Sequence, residues 1–294
     1  MGPDGRGVSS RGRRKSRIEA DLRAIVRWYF KNVYGIHEGP GTLPFYCDPK
    51  RVGHFAVEPT RLHDGSEAEL FRLFVSLAMY QARRDVVIQN QQRAFSRKEA
   101  TALLSLPALR RRIRTNPCPV LRSAESFDTR CTVRKRGERF DCMLRPKQEC
   151  HVKEASRLFN RMADLGKLPT SAHLRLWGRG VLGCTVREVL NAESDPKVRA
   201  DRLVGAFTRV HRVGRKLATM FVSTLSVPSL APGLTPWFPE VDGSDLVVVD
   251  TNVLRATRAL AGAAAPAGYE GHARWLRAAA RLIDLREHRP QLPA

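Results

Sequence analysis

Residues 194–226 read SDPKVRADRLVGAFTRVHRVGRKLATMFVSTLS. Ser194-Asp195-Pro196 is a helix start, an acidic or hydroxyl cap followed by proline at the first helical position. Val198, Leu203, Phe207 and Val210 then follow as an inward face. Arg212-Val213-Gly214 breaks the period as a turn. A second helix is predicted from about Arg215 to Leu225, burying Leu217, Met220, Phe221 and Leu225. Two short helices around a tight glycine turn make a helix-hairpin-helix. Its turn sets backbone N–H groups at a helix N-terminus, where they bind phosphate without reading base sequence.

The flanking chain extends this pattern. Downstream, residues 226–245 are rich in Pro, Gly and Ser and form a loop. Leu246 to Val249 is apolar, and Asp250 sits where the next helix starts, with Thr251 and Asn252 as competing caps. Val253, Leu254, Thr257 and Leu260 continue that helix. Residues 261–268 read as a linker, and Ala273 to about Leu285 as a last helix with Trp275, Leu276, Leu282 and Ile283 inward. Upstream, Ile18, Leu22, Ile25, Val26, Tyr29 and Val33 share one stripe of a helix from Ile18 to Tyr34. Residues 36–65 read as loops with a short strand. A helix from Glu67 to about Gln81 buries Leu70, Leu73, Phe74, Leu77 and Ala78. Ser96-Arg97-Lys98-Glu99 is a capping box opening a helix through Leu104. Val152 to Leu165 reads as one amphipathic helix with Gly166 as its C-cap, and residues 175–192 hold another. Strand signals are sparse, so the predicted class is all-α.

The 294 residues carry 51 Lys+Arg against 29 Asp+Glu, a formal charge of +22. Such an excess favours a polyanionic partner, because each cation at a phosphate releases condensed counterions. Residues 1–16 are Gly, Ser and Arg rich and are expected to form a disordered basic arm. Arg110, Arg111, Arg112 and Arg114 make a second basic run, either a solvated face or a phosphate track. No apolar run reaches the roughly 18–20 residues of a membrane span, and the N-terminus lacks the apolar core of a signal peptide. The expectation is a soluble intracellular protein with no membrane partner.

Cys118, Cys131, Cys142 and Cys150 have 12, 10 and 7 residues between them. Four cysteines so spaced, with His151 as a fifth donor, suit zinc or an iron–sulfur cluster. None forms a C-x-x-C pair, so free or buried thiols are the competing reading.

Lys216 sits on the first turn after Gly214. A lysine there usually contacts phosphate; as a neutral amine it attacks a sugar C1′ and holds it as a Schiff base. An aspartate before a helix usually only caps it. Placed behind an apolar run, Asp250 also suits charge stabilisation on the sugar as a base departs, and proton removal from the attacking amine.

These residues resemble the helix-hairpin-helix DNA glycosylases of the endonuclease III and 8-oxoguanine glycosylase superfamily. Their hairpin reads L-P-G-V-G-x-K-x-A, matched by Val210, His211, Arg212, Val213, Gly214, Arg215, Lys216, Leu217 and Ala218. Their V-D-T-x-x-x-R segment is matched by Val249 to Arg255. The resemblance implies that Lys216 is the Schiff-base nucleophile and Asp250 the essential carboxylate. It implies that Arg212, Val213, Gly214 and Arg215 anchor DNA. A helix like L-x-x-x-L-L-S-A-Q-A-T-D, matched from Leu73 to Asp85, makes Gln81 the residue that fills the gap left by a flipped base. The likeness covers about residues 65–105 and 150–260. It departs at His211 and Arg212, which replace the motif's proline and first glycine, and in 34 positions between Lys216 and Asp250.

The implied architecture is two helical subdomains with the active-site cleft between them. Residues 17–64 and 261–294 join the second subdomain, and 65–260 form the glycosylase core with an insertion at about 115–150. The family's C-terminal four-cysteine cluster is absent, since the last cysteine is Cys184, so no cofactor is required; a zinc or iron–sulfur site would have to use the inserted cysteines. The implied activity is base excision with β-elimination at double-stranded DNA by a monomer, cytoplasmic and nucleoid-associated in a bacterium. The competing readings are a helix-hairpin-helix DNA-binding protein without chemistry, and a glycosylase directed at modified foreign DNA.

Overall fold

The computed structural model describes residues 10–34, 42–81, 83–133, 150–159, 165–178, 181–231 and 233–287. Fifteen α-helices and several shorter helical turns make up the described elements, and no strand occurs among them. The fold is all-α. In chain order the helices are α1 Ser10–Asn32, α2 Pro49–Val52, α3 Pro59–His63, α4 Glu67–Ala78, α5 Asp85–Arg93, α6 Arg97–Leu104, α7 Leu106–Thr115, α8 Ala124–Arg130, α9 His151–Leu158, α10 Leu168–Ala172, α11 Val181–Ala192, α12 Pro196–Phe207, α13 Arg215–Ser226, α14 Thr251–Ala261 and α15 Gly268–Ala280.

The chain divides into two compact units, Leu43–Ser244 and Met1–Thr42 with Asp245–Ala294. The larger unit has an aromatic centre. Trp177 is fully buried between Phe71 and Phe74 of α4, Phe207 of α12 and Phe221 of α13. The Phe207 and Phe221 rings meet edge to face at 4.8 Å, and Trp237 from the 226–245 loop stacks on Phe207 at 6.1 Å. Each such ring contributes roughly 2–3 kcal/mol by burial. The two hairpin helices are therefore fixed by residues that their own helical period places inward.

Within the smaller unit, α1 packs on α14 and α15. The expected α1 begins at Ser10, so residues 10–16 of the supposed disordered arm are helical. Arginine and lysine cost little in a helix, and extending a formed helix is far easier than starting one. Ile25 is half exposed, so its two partner helices do not cover the whole apolar stripe, and Trp28, off that stripe, is 61% exposed.

Other expectations are corrected. Residues 45–63 hold helical turns rather than a strand, because Asp48-Pro49 and Glu58-Pro59 each supply a cap followed by an N1 proline. They belong to the larger unit, not with the N-terminal helix. Within the supposed interruption at 115–150, α8 forms behind its Ser123 cap. Val198 is 40% exposed, since at 100° per residue it points about 140° away from Leu203. The helix expected to run to Leu165 stops at Leu158, and Gly166 is no C-cap: a Cβ there would overlap the Ser156 backbone of α9. The last helix starts at Gly268, not Ala273. The capping box at Ser96 and Glu99 forms as expected. No described helix is long and apolar enough to cross a membrane.

Candidate functional site

The hairpin turn runs from Thr208 to Gly214 between α12 and α13. Asp195 caps α12 by accepting from the Lys197 N–H at 2.8 Å. The turn closes through Val210 N–H to Phe207 O at 3.2 Å and Val213 N–H to Val210 O at 3.0 Å. Val210 and Val213 are buried, while Arg212 and Gly214 are exposed. Arg212 has φ +65°, the only described residue other than glycine in the left-handed region. Gly214 precedes α13 without a side-chain cap, so the first N–H groups of that helix are not taken up by their own N-cap.

Three contacts hold this turn in the larger unit. Gln81 lies just beyond α4, in the turn rather than in the helix. Its Nε2 donates to Ala78 O at 2.7 Å and to Arg212 O at 3.2 Å. Lys216 Nζ donates to Tyr80 O at 3.3 Å. On the other side, Ser171 Oγ accepts from the His211 N–H at 3.0 Å. Ser171 also donates to Asp128 at 3.4 Å, and Arg175 holds that carboxylate through two nitrogens at 2.9 and 2.5 Å. The structure thus brings Gln81, Arg212 and Lys216 together. Arg215 pairs with Asp201 of α12. Tyr80, Ser171 and Asp128 escape a sequence reading, because their contacts reach main chain or cross 40 or more positions.

The α4 end is itself built firmly. Gln92 of α5 is fully buried and donates to Ser76 O at 3.1 Å, and Tyr80 Oη donates to Gln92 Oε1 at 3.4 Å. Burial pushes the Tyr80 phenol well above its ordinary range, so it stays a neutral donor.

In the smaller unit, Asp250 is half-buried and is the N-cap of α14. Its Oδ1 accepts from the Val253 N–H at 2.8 Å. Tyr269 of α15 fixes the approach to it, donating to Val247 O at 2.8 Å and accepting from the Val249 N–H at 3.3 Å.

Cys118, Cys131 and Cys150 gather on one apolar cluster of Leu121, Phe127, Val133 and Val152. Burial pushes the Cys131 thiol up. Cys142 lies outside the described residues. Among the described residues no group of three His, Cys, Asp or Glu side chains is arranged to hold a metal ion. His151 and His173 are buried, and both ring nitrogens of His151 and Nδ1 of His173 lack hydrogen-bond partners. Burial, with Arg112 beside His151 and Arg110 beside His173, lowers both imidazoles to about 4.

Compared with protein-family models, with curated proteins and with solved structures, the chain matches none.

Proposed function

We propose that this chain is a DNA N-glycosylase of base-excision repair with an associated lyase step. One observation carries the reading. The end of α4 and the hairpin, singled out separately from distant stretches of sequence, meet through Gln81 to Arg212 O and Lys216 to Tyr80 O, contacts 131 and 136 positions apart. The left-handed Arg212 supports it, since the family motif carries glycine at that position.

In this reading the exposed turn and the uncapped start of α13 hold a phosphate of double-stranded DNA. Lys216 Nζ, as the free amine, attacks C1′ of an extruded nucleotide. The N-glycosidic bond breaks, and the base leaves with the bonding pair and takes a proton. Opening of the sugar ring gives a Schiff base on Lys216. Loss of a C2′ proton then expels the 3′ phosphate by β-elimination. The resemblance assigns Asp250 the carboxylate that stabilises positive charge on the sugar, and the amine proton passes to water. A monomer suffices, acting at the nucleoid in a bacterial cytoplasm. No step calls for a metal, so treatment with a chelator is expected to leave turnover unchanged.

Borohydride reduces a Schiff base to a stable amine. Incubation with a panel of oxidised, deaminated, alkylated and mismatched duplexes plus borohydride is expected to yield a covalent protein–DNA adduct. Lys216→Gln is expected to abolish it. Excision without any adduct would reduce the activity to hydrolysis alone.

A helix-hairpin-helix binder without chemistry is the second reading. It is favoured by the Asp250 cap and by the Arg215 pair with Asp201, each of which explains its residue structurally. Asp250→Asn separates the two: excision lost with binding retained supports the enzyme. A parent that binds duplex yet excises nothing from the panel supports the binder.

A further inference from the structure

We propose that His151 and His173, with Arg110 and Arg112 of α7, bind a small free oxyanion of the phosphate class; none of the four is a hairpin residue, and the site is independent of the DNA reading. His151 is 9% and His173 7% exposed. Both ring nitrogens of His151 and Nδ1 of His173 lack a partner in the fold. Buried polar atoms are normally hydrogen-bonded, and leaving one unpaired is costly, so a polar ligand that reaches these rings gains what the fold leaves unmade. Each neutral imidazole carries one N–H and one lone pair. A phosphate at neutral pH, with acceptor oxygens and a P–OH donor, answers both.

Contacts from α7 join the two elements that carry the histidines. Arg112 donates to Glu154 at 2.6 Å, on the first turn of α9 that His151 begins. Arg110 donates to Trp177 O at 2.9 Å, the end of a single π-helical turn, His173–Trp177, that His173 begins. Such turns occur often at functional sites. Arg110 also pairs with Glu67. A guanidinium has five N–H donors, and these contacts engage one nitrogen of each arginine. The field at both rings is positive: no carboxylate offsets Arg112 at His151, and Arg110 outweighs Glu67 at His173. Cys150 makes no side-chain cap, so the start of α9 adds its own positive end. A field of this sign selects an anion over a metal ion. Half-buried Gly178 leaves space at the His173 ring, where a Cβ would lie 3.9 Å from Cε1 and Nε2. Rings so deeply buried do not meet the backbone of a duplex, so the ligand is a free anion.

The test follows the Tm of the full chain in rising potassium phosphate, with ionic strength held constant by potassium chloride. A ligand that binds only the folded chain raises Tm with the logarithm of its concentration above Kd. The parent is expected to show this rise. His151→Phe and His173→Phe should each lose it while keeping their stability in chloride alone. Gly178→Ala retains every polar group, fills only the space beside the ring, and should weaken phosphate binding several-fold. Arg212→Glu on the hairpin should keep the full rise. Repeating the parent series with saturating duplex DNA separates a free anion from a backbone phosphate, and the rise is expected to persist. A parent with no rise beyond chloride overturns the site, as does a full rise retained by any of the two histidine variants or Gly178→Ala. A rise that duplex abolishes assigns the phosphate to the DNA-binding surface and overturns the free-anion site. A parent that binds no duplex overturns the DNA reading alone, since the phosphate series is read without it.

Discussion

Arg212 shows what a single backbone angle demands. At φ +65° a Cβ crowds its own carbonyl, which costs about 1–2 kcal/mol. Glycine avoids that cost but loses more freedom on folding, about 0.5–1 kcal/mol. Arg212→Gly is therefore expected to stabilise the protein by up to about 1 kcal/mol, read as a higher urea midpoint. Gln81 binds the residue 212 carbonyl, not its side chain, so that tie should survive. The buried histidines give a second prediction at this scale. His151 and His173 titrate at about 4 in the fold, against about 6.5 when unfolded. The unfolded chain thus binds more protons between those values. Their neutral forms fit the fold at neutral pH, and stability falls as pH drops from 6.5 towards 4, by up to about 1.4 kcal/mol per histidine per pH unit. Urea titrations at pH 7, 6, 5 and 4.5 should show this slope. His173→Phe should flatten it whatever its effect at pH 7.

At the scale of elements, the clamp from α15 onto the segment before α14 carries a third prediction. Tyr269→Phe removes the donor to Val247 O and the acceptor of the Val249 N–H. The change should cost about 1–2 kcal/mol of stability. If Asp250 is the essential carboxylate, single-turnover excision should slow while DNA affinity stays the same; equal loss of both would make the clamp merely structural. Residue types reveal such elements unevenly. Asp195-Pro196 and Asp250 announce α12 and α14, because a cap acts on its own next three residues. Asp48-Pro49 and Glu58-Pro59 carry the same signal, yet in four- and five-residue helices no apolar period follows it. Tyr269, Ser171 and Tyr80 leave no trace in the sequence, since a hydroxyl or carbonyl that meets distant main chain imposes no pattern. Gly166 reads as a helix stop and is instead a close approach to Ser156; spacing alone does not separate those two uses of glycine. Lys216 and Gln81 are legible as residues of interest, but their shared position emerges only when α4 and the hairpin fold together.

For the whole molecule, net charge constrains partners and says little about fold. Several arginines already serve the protein itself: Arg110 pairs with Glu67, Arg112 with Glu154 and Arg175 with Asp128. The two exposed pairs, Arg110 with Glu67 and Arg112 with Glu154, add at most about 1 kcal/mol each. They also lower the count of cations available to phosphate, so the 51 lysines and arginines overstate the number of phosphate contacts open to the chain. The number that matters is the slope of log affinity against log salt, which is about −0.9 per neutralised phosphate on duplex DNA. Engagement through Arg212 of the hairpin, Arg83 and Arg84 together predicts a slope of about −2.7, independent of duplex sequence, measured by anisotropy from 50 to 300 mM potassium chloride. Reversing one hairpin-side charge, Arg212→Glu, should make it shallower by about one, whereas Arg112→Glu on α7 should leave it unchanged. If the α7 variant moves the slope and the hairpin variant does not, the phosphate track runs along the arginines of α7, and the hairpin loses its role as the anchor.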